Sequence, residues 1–291
     1  VKSGAMGRKD IIKIDDAIDI DLDVLGYIDP GITVNYISDG FGFQPNFWRG
    51  PTDNDYGAYL QRRYAVWNQP EMKLVDFSAE MEDGLAVVKA SYEMPAVSGA
   101  LTLTYRINNA GAVEITQSLS ASADVKVPDM FRFGMQIPMP QSFERIVYYG
   151  RGPWENYADR KSSSELGIYD QTVTSQFYPY VRPQENGTKS DIRWWKVLND
   201  AGRGLMVTSV EPFSASALHY TIESLDEGVQ KHNSHSAEID PAPLTNLLVD
   251  KCQQGLACVN SWGAIPEEEY RIHYGDLSFT YLLTPVRTIL K

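Results

Sequence analysis

The chain has 291 residues, of which 43% are hydrophobic and 22% charged, a composition typical of a folded protein rather than of a disordered one. Its formal net charge of −12 reflects 38 acidic against 26 basic residues. Because a surface this acidic repels phosphate, we expect neither nucleic acid nor an anionic membrane among the partners. The sequence also contains no apolar run of the 18 residues that would predict a membrane span.

Residues 1–14 are interpreted as a linker or a cloning remnant, and residues 15–291 as one domain. Beyond the linker, apolar and polar residues alternate as they do in half-buried strands, most clearly at 101–107, 113–119, 131–137 and 277–283. Turn residues predict three hairpins, centred on Asp83-Gly84, on residues 109–111 and on residues 200–202. These turns join residues 73–81 to 85–94, 101–108 to 113–119, and 193–198 to 204–210.

Helix is scarce in this pattern. Residues 59–67 predict two helical turns, and Thr221 is predicted to cap a short turn that runs to Leu225. Cys252 and Cys258 predict either a bridged hairpin or buried free thiols. The many short alternating strands predict an all-β fold, as an antiparallel sandwich or barrel.

Residues 150–187 form the most irregular region, and a loop this long in a compact domain is typically functional or part of an interface. Its two ends, 150–160 and 179–187, share a composition with residues 45–57. Each of these three segments places Pro, Gly, Asn and acidic residues around an aromatic residue. Such segments are predicted to be shaped loops whose backbone is held by side chains.

A retaining glycosidase needs two carboxylates about 5–5.5 Å apart. Candidates in irregular segments are Asp53, Asp55, Glu155, Asp159 and Glu185, but no spacing fixes a pair. The more ordinary interpretation is that each one accepts hydrogen bonds from loop backbone. No nucleophilic-serine motif and no glycine-rich phosphate loop is present.

The histidines are His219, His232, His235 and His273. The pair at 232 and 235 lies in a polar stretch without a third ligand, so a solvated loop is favoured over a metal site. A histidine with a carboxylate could catalyse sugar mutarotation. A carbohydrate-binding module would instead show a row of exposed aromatic residues on one face. The candidates for such a row are Trp48, Trp154, Trp194 and Trp195.

Taken together, the three loop segments resemble the C-terminal, small-chain domain of the bacterial β-galactosidases of glycoside hydrolase family 2. The similar stretches are 47–57, with its Arg-Gly-Pro-Thr-Asp-Asn-Asp run, 150–160, with Glu-Asn-Tyr-Ala-Asp-Arg, and 179–187, with Gln-Glu-Asn-Gly. Their order and spacing fit the family from about residue 15 to the end. The resemblance implies a large antiparallel β-sandwich similar to galactose mutarotase.

The resemblance also implies a role for the domain. In the family, five domains form the enzyme, and two catalytic glutamates lie in a central (β/α)8 barrel, so no catalytic residue is expected in this chain. Trp262 matches a tryptophan that reaches the galactose pocket, and Ser261, Asn260 and Gly57 are the other expected substrate-side residues. The motif residues expected to hold the loops are Arg49, Asp53, Asn54, Glu155, Asn156, Asp159, Arg160, Glu185 and Asn186.

On this basis the whole enzyme would hydrolyse terminal β-D-galactosides with retention, in an oligomer, and the partners of this chain would be the upstream domains and the galactoside. No cofactor or metal is expected in this chain, whereas the full enzyme would use magnesium and sodium. The compartment, bacterial cytoplasm or periplasm, stays open. The alternatives are a stand-alone carbohydrate-binding module and a mutarotase-like epimerase.

Overall fold

The computed structural model describes residues 42–232, 234–257, 259–260 and 263–286, together with the backbone of 12–14 and 18–20. Strands β1 (Ile12–Ile14) and β2 (Ile18–Ile20) pair with each other. The domain boundary predicted after residue 14 stays a prediction. Every other described strand belongs to one sheet. These strands are β3 (Gln44–Asn46), β4 (Lys73–Glu82), β5 (Leu85–Met94), β6 (Gly99–Ile107), β7 (Val113–Ser120), β8 (Arg132–Pro140), β9 (Arg145–Gly152), β10 (Glu165–Thr172), β11 (Lys189–Leu198), β12 (Gly204–Leu218), β13 (Leu244–Gln253) and β14 (Leu277–Val286).

Strand β12 is the fork at which the sheet divides. Its first residues, 204–208, pair with β14, and residues 214–218 pair with β13. One branch runs β14-β7-β6-β5-β4, and the other runs β13-β8-β3, while β11, β9 and β10 extend the opposite edge. All of these pairs are antiparallel.

The two branches face each other and enclose the core. The Tyr281 hydroxyl on β14 lies 3.2 Å from the Met135 sulfur on β8, and the rings of Phe43 and Tyr105 stack at 5.9 Å. On β6, β7 and β14 alternate residues are buried, as the alternation predicts. Each large apolar side chain buried there stabilises the fold by about 1.5–3 kcal/mol. The structure therefore confirms the predicted all-β, antiparallel sandwich.

The predicted turns are also confirmed. Asp83 and Gly84 both have positive φ, at 48° and 81°, as the two-residue turn of a twisted hairpin requires. The predicted helical segment at 59–67 divides into α2 (Leu60–Arg63) and a 3₁₀ turn, Ala65–Trp67. The Thr221 hydroxyl accepts a hydrogen bond from the Ser224 amide at 3.1 Å, and a 3₁₀ turn follows at Glu223–Leu225.

The prediction that residues 150–187 form an irregular region is wrong in part. Strand β10 occupies the middle of this region, and the 3₁₀ turn Thr174–Gln176 follows it. Because β10 is the edge strand, Leu166 and Ile168 stay exposed and give no buried apolar face to detect. The remaining short helices are α1 (Asp53–Gly57) and the 3₁₀ turns Pro95–Val97, Ser236–Glu238 and Glu268–Tyr270.

Two further observations complete the fold. No helix in the described ranges combines the length and apolar character needed to cross a bilayer. Cys252 forms no disulfide with any described residue, and burial raises the pKa of its thiol to about 12. Cys258 lies outside the described residues.

Candidate functional site

The first loop segment is held by a buried arginine. The Arg49 guanidinium donates to both carboxylate oxygens of Asp55, at 3.0 and 2.8 Å. It also donates to the backbone carbonyls of Gln254 at 2.7 Å and Gly255 at 3.2 Å. Both side chains of the ion pair are almost fully buried. One residue therefore connects the segment after β3 to the segment after β13.

Helix α1 is fixed by a capping box at its start. The Thr52 hydroxyl accepts from the Asp55 amide at 3.2 Å, and the Asp55 carboxylate accepts from the Thr52 amide at 2.9 Å. The Asn54 side chain donates to the Leu256 carbonyl at 3.0 Å. Asp53, in contrast, lies at the surface and pairs with Lys231 at 2.5 Å. The helix is thus attached to the same segment after β13 and ends at Gly57.

The second segment reaches the same place through Asp159, whose carboxylate accepts from the Ala257 amide at 2.8 Å. Asn156 is fully buried and donates to the carbonyls of Arg151 and Trp154 at 3.1 and 3.0 Å. Its oxygen accepts from the Ser190 amide at 2.9 Å. The Asn156 side chain therefore holds the loop after β9 in its conformation.

The third segment is bound to the other two. The Glu155 carboxylate pairs with Arg160 and accepts from the Tyr180 hydroxyl and from the Gly187 amide, the last at 2.8 Å. The Glu185 amide donates to the Gly50 carbonyl at 2.9 Å, and its carboxylate accepts from Thr188 at 2.8 Å. Asn186 accepts from the Tyr178 amide at 3.2 Å.

The expected substrate-side residues fall at the edge of the described chain. Trp262 and Ser261 lie outside the described residues. Asn260 and Gly263, on either side of them, are described, and the Asn260 oxygen lies 3.4 Å from the Ala264 amide. Gly263 has φ of +99°, and a Cβ there would lie 3.2 Å from the Gly57 carbonyl oxygen. The structure therefore brings Gly57 to the residue that follows Trp262.

The candidate catalytic carboxylates are all engaged by other protein groups. Asp53 pairs with Lys231, Asp55 with Arg49 and Glu155 with Arg160, while Asp159 and Glu185 accept hydrogen bonds from Ala257 and Thr188. Carboxylates held this way are oriented by the loops. No group of three His, Cys, Asp or Glu side chains in the described ranges is arranged to hold a metal ion.

The structure does bring a histidine and a carboxylate together, but not in an open site. His219 is buried, and its Nε2 lies 2.5 Å from Glu144 while its Nδ1 lies 2.9 Å from the Leu244 carbonyl. Both ring nitrogens are therefore engaged by other groups of the domain. His273 is likewise held between Asp129 and Glu268, at 2.9 and 2.8 Å.

The aromatic row expected of a binding module is not formed. Trp48 and Trp195 are buried, at 5% and 0% exposure, whereas Trp154 is 75% exposed. His232 and His235 lie near the third segment, where Arg182 donates to the His232 carbonyl and His235 Nδ1 lies 3.3 Å from the Val181 carbonyl. These two histidines take part in loop packing rather than in a metal clip.

Sequence reasoning missed a buried polar cluster beneath the loops. Arg132 on β8 lies 3.2 Å from Asp250 and 3.7 Å from Glu185, and it donates to Gln253 at 3.1 Å. Burial raises the pKa of Asp250 to about 7; Glu185 acts in the same direction and Arg132 opposes it. Polar residues interrupting the otherwise apolar β13 were the available signal.

Comparison with known proteins found two family models and several solved structures similar to this chain. A family model described as β-galactosidase small chain matches residues 31–283. A second model, described as the allosteric domain of the aspartate carbamoyltransferase regulatory chain, matches residues 1–42. Among solved structures, a GalM/aldose epimerase homologue from C. elegans aligns with 74% of this chain and 68% of its own, at 9% identity and a TM-score of 0.34.

Bacterial β-galactosidases are similar to most of the chain. The β-galactosidase of Priestia megaterium is 31% identical over 84% of this chain and 23% of its own length. That of Lactobacillus delbrueckii subsp. bulgaricus is 30% identical over 77% and 22%. The chain thus spans about a quarter of the length of these relatives. With a family model matched from residue 31 to residue 283, the chain belongs to the β-galactosidase small chain family.

Proposed function

We propose that this chain is the C-terminal domain of a retaining β-galactosidase of glycoside hydrolase family 2, and that it completes the galactose pocket with the Trp262 indole. The catalytic glutamates lie in a barrel domain outside this chain. An indole is suited to the task because the C–H face of a pyranose packs on an aromatic ring.

The observation that carries this proposal is the convergence of Gly57 with the residue after Trp262. A Cβ at Gly263 would lie 3.2 Å from the Gly57 carbonyl oxygen, although the two glycines are far apart in sequence. Arg49, Asn54 and Asp159 all bind the backbone of residues 254–257, just before this point. Fixed loops on both sides are what a preorganised ligand contact needs.

The engaged state of the five candidate carboxylates supports a domain that does no chemistry alone. A retaining mechanism needs one carboxylate free to attack and another free to transfer a proton. The metals expected of the full enzyme would be held by ligands of the barrel domain.

The role of Trp262 is tested in the full-length parent enzyme. Trp262→Ala should lower kcat/KM for a chromogenic β-galactoside by about tenfold or more, which corresponds to about 1.4 kcal/mol of lost transition-state binding. Trp262→Phe keeps an aromatic face and should retain most of the activity. An unchanged kcat/KM in the alanine variant would remove Trp262 from the pocket.

The domain assignment is tested by complementation. The 291-residue chain alone should not hydrolyse the chromogenic galactoside, and activity should appear when the upstream part of the parent is added. Turnover by the chain alone would contradict the proposal and would make Glu155, Asp159 and Glu185 the first residues to substitute.

A further inference from the structure

A cavity of about 400 Å³ lies where the loop after β9 meets the segment after the 3₁₀ turn Thr174–Gln176. Its lining includes Trp154, Glu155, Gln171, Gln176, Tyr178 and Lys189. The volume falls within the range of about 300–1,000 Å³ that is typical of small-molecule sites. Trp154 and Tyr178 are 75% and 58% exposed, so two large aromatic faces are presented to solvent beside a polar floor.

Buried asparagine side chains hold the two loops that carry these aromatic residues. Asn156, fully buried, donates to the Trp154 carbonyl at 3.0 Å. Asn186, 1% exposed, accepts from the Tyr178 amide at 3.2 Å and donates to the Gln184 carbonyl at 3.0 Å. A ligand that contacts these rings would therefore not have to order the loops first, which lowers the entropic cost of binding.

The charged groups at the cavity are already hydrogen-bonded within the domain. The Glu155 carboxylate is shared by Arg160, Tyr180 and the Gly187 amide. The Lys189 ammonium donates to the Gln176 oxygen at 2.6 Å and to the Gly187 carbonyl at 2.9 Å. Because the Glu155 carboxylate is paired with Arg160 and the Lys189 side chain is only 1% exposed, neither charge is presented to a ligand, and the cavity favours a neutral one.

Hydrogen-bonding groups do remain for such a ligand. The Gln171 oxygen accepts from the Tyr148 hydroxyl at 3.3 Å, and its amide nitrogen has no partner in the described part of the chain. The same holds for the Trp154 indole N–H and the Tyr178 hydroxyl, again counting the described residues. Aromatic faces beside amide and hydroxyl groups match a ring that has apolar C–H faces and an equatorial rim of hydroxyls.

We propose that this cavity is a binding subsite for a neutral pyranose, which stacks on Trp154 and Tyr178 and hydrogen-bonds to Gln171. The proposal assigns sugar contacts to residues other than Trp262, so it goes beyond the function proposed above.

The test is to titrate lactose and methyl β-D-galactopyranoside into the 291-residue chain by calorimetry, and to follow the indole N–H resonances by NMR. Trp154→Ala should raise Kd by about tenfold or more, since the loss of a stacking partner corresponds to about 1.4 kcal/mol. Tyr178→Ala should act in the same direction. Trp194→Ala removes a tryptophan that does not line the cavity and should leave Kd unchanged.

Two results would overturn the proposal. One is the absence of saturable binding of either sugar by the unaltered chain. The other is binding that survives Trp154→Ala but is lost in Trp262→Ala, which would assign the sugar to Trp262 and leave the function proposed above in place. Because the Trp154 side chain is mostly in solvent, its removal should not change the melting temperature, and this is checked alongside.

Discussion

The buried Arg49 side chain is expected to be essential to the stability of the domain. It is fully buried, its partner Asp55 is 2% exposed, and the guanidinium lies 4.6 Å from the centre of the Phe131 ring. Arg49→Met would leave the Asp55 carboxylate buried without its cation and would free two backbone carbonyls. We expect the free energy of unfolding, measured in urea, to fall by about 3–5 kcal/mol.

The chain offers a matched control for this substitution. Arg145 binds Asp170 through the same two-pronged geometry, at 2.8 and 2.5 Å, but these side chains are 54% and 53% exposed. Arg145→Met should therefore lower the free energy of unfolding far less than Arg49→Met does. Equal losses in the two variants would show that burial does not decide the effect.

At the scale of single elements, α1 depends on Thr52, the residue that caps its start. The helix has only five residues, too few to be stable by propensity alone, so its capping box and its attachment to residues 254–256 hold it. Thr52→Ala should cost about 1 kcal/mol of unfolding free energy and should speed hydrogen exchange of the Tyr56 and Ala58 amides. Thr52→Ser keeps the hydroxyl and should restore both values; loss of exchange protection in the serine variant as well would argue against capping.

Some elements could be read from the sequence and others could not, for a physical reason. Strands β6, β7 and β14 bury one face, and their alternation predicted them. Strand β13 is buried along most of both faces and contains Asn246 and Asp250, so it shows neither alternation nor a purely apolar run. The second half of β12 follows residues 210–212, which are all exposed. They interrupt the alternation, so the sequence does not show that the strand continues.

At the scale of the whole molecule, the site is assembled from segments that are distant in sequence. Arg49 and its acceptor Gln254 are 205 residues apart, and Asp159 binds Ala257 across 98 residues. The loop motifs were visible in the sequence because each concentrates Pro, Gly, Asn and acidic residues around an aromatic residue. Their meeting point after β13 was not, because it depends on the fork at β12 that brings β13 and β8 beneath the loops.

The buried Arg132 guanidinium lies close to two carboxylates, those of Asp250 and Glu185. We therefore expect the stability of the whole domain to depend on pH. Arg132 lies between Asp250 and Glu185, at 3.2 and 3.7 Å, and all three side chains are almost fully buried. Burial, aided by Glu185 and opposed by Arg132, raises the pKa of Asp250 from 3.8 to about 7. The folded state therefore holds a proton that the unfolded state has released between about pH 4 and pH 7.

Because the folded state binds more protons in that window, this group's contribution to the free energy of unfolding falls as pH rises from about 4 to 7. Asp250→Asn keeps the shape of the side chain and removes the titration. The difference in unfolding free energy between the original chain and this variant, measured in urea at a series of pH values, should change by a few kcal/mol across the window, on the order of 1.4 kcal/mol per pH unit, and level off outside it. A pH-independent difference would mean that Asp250 stays ionised against Arg132.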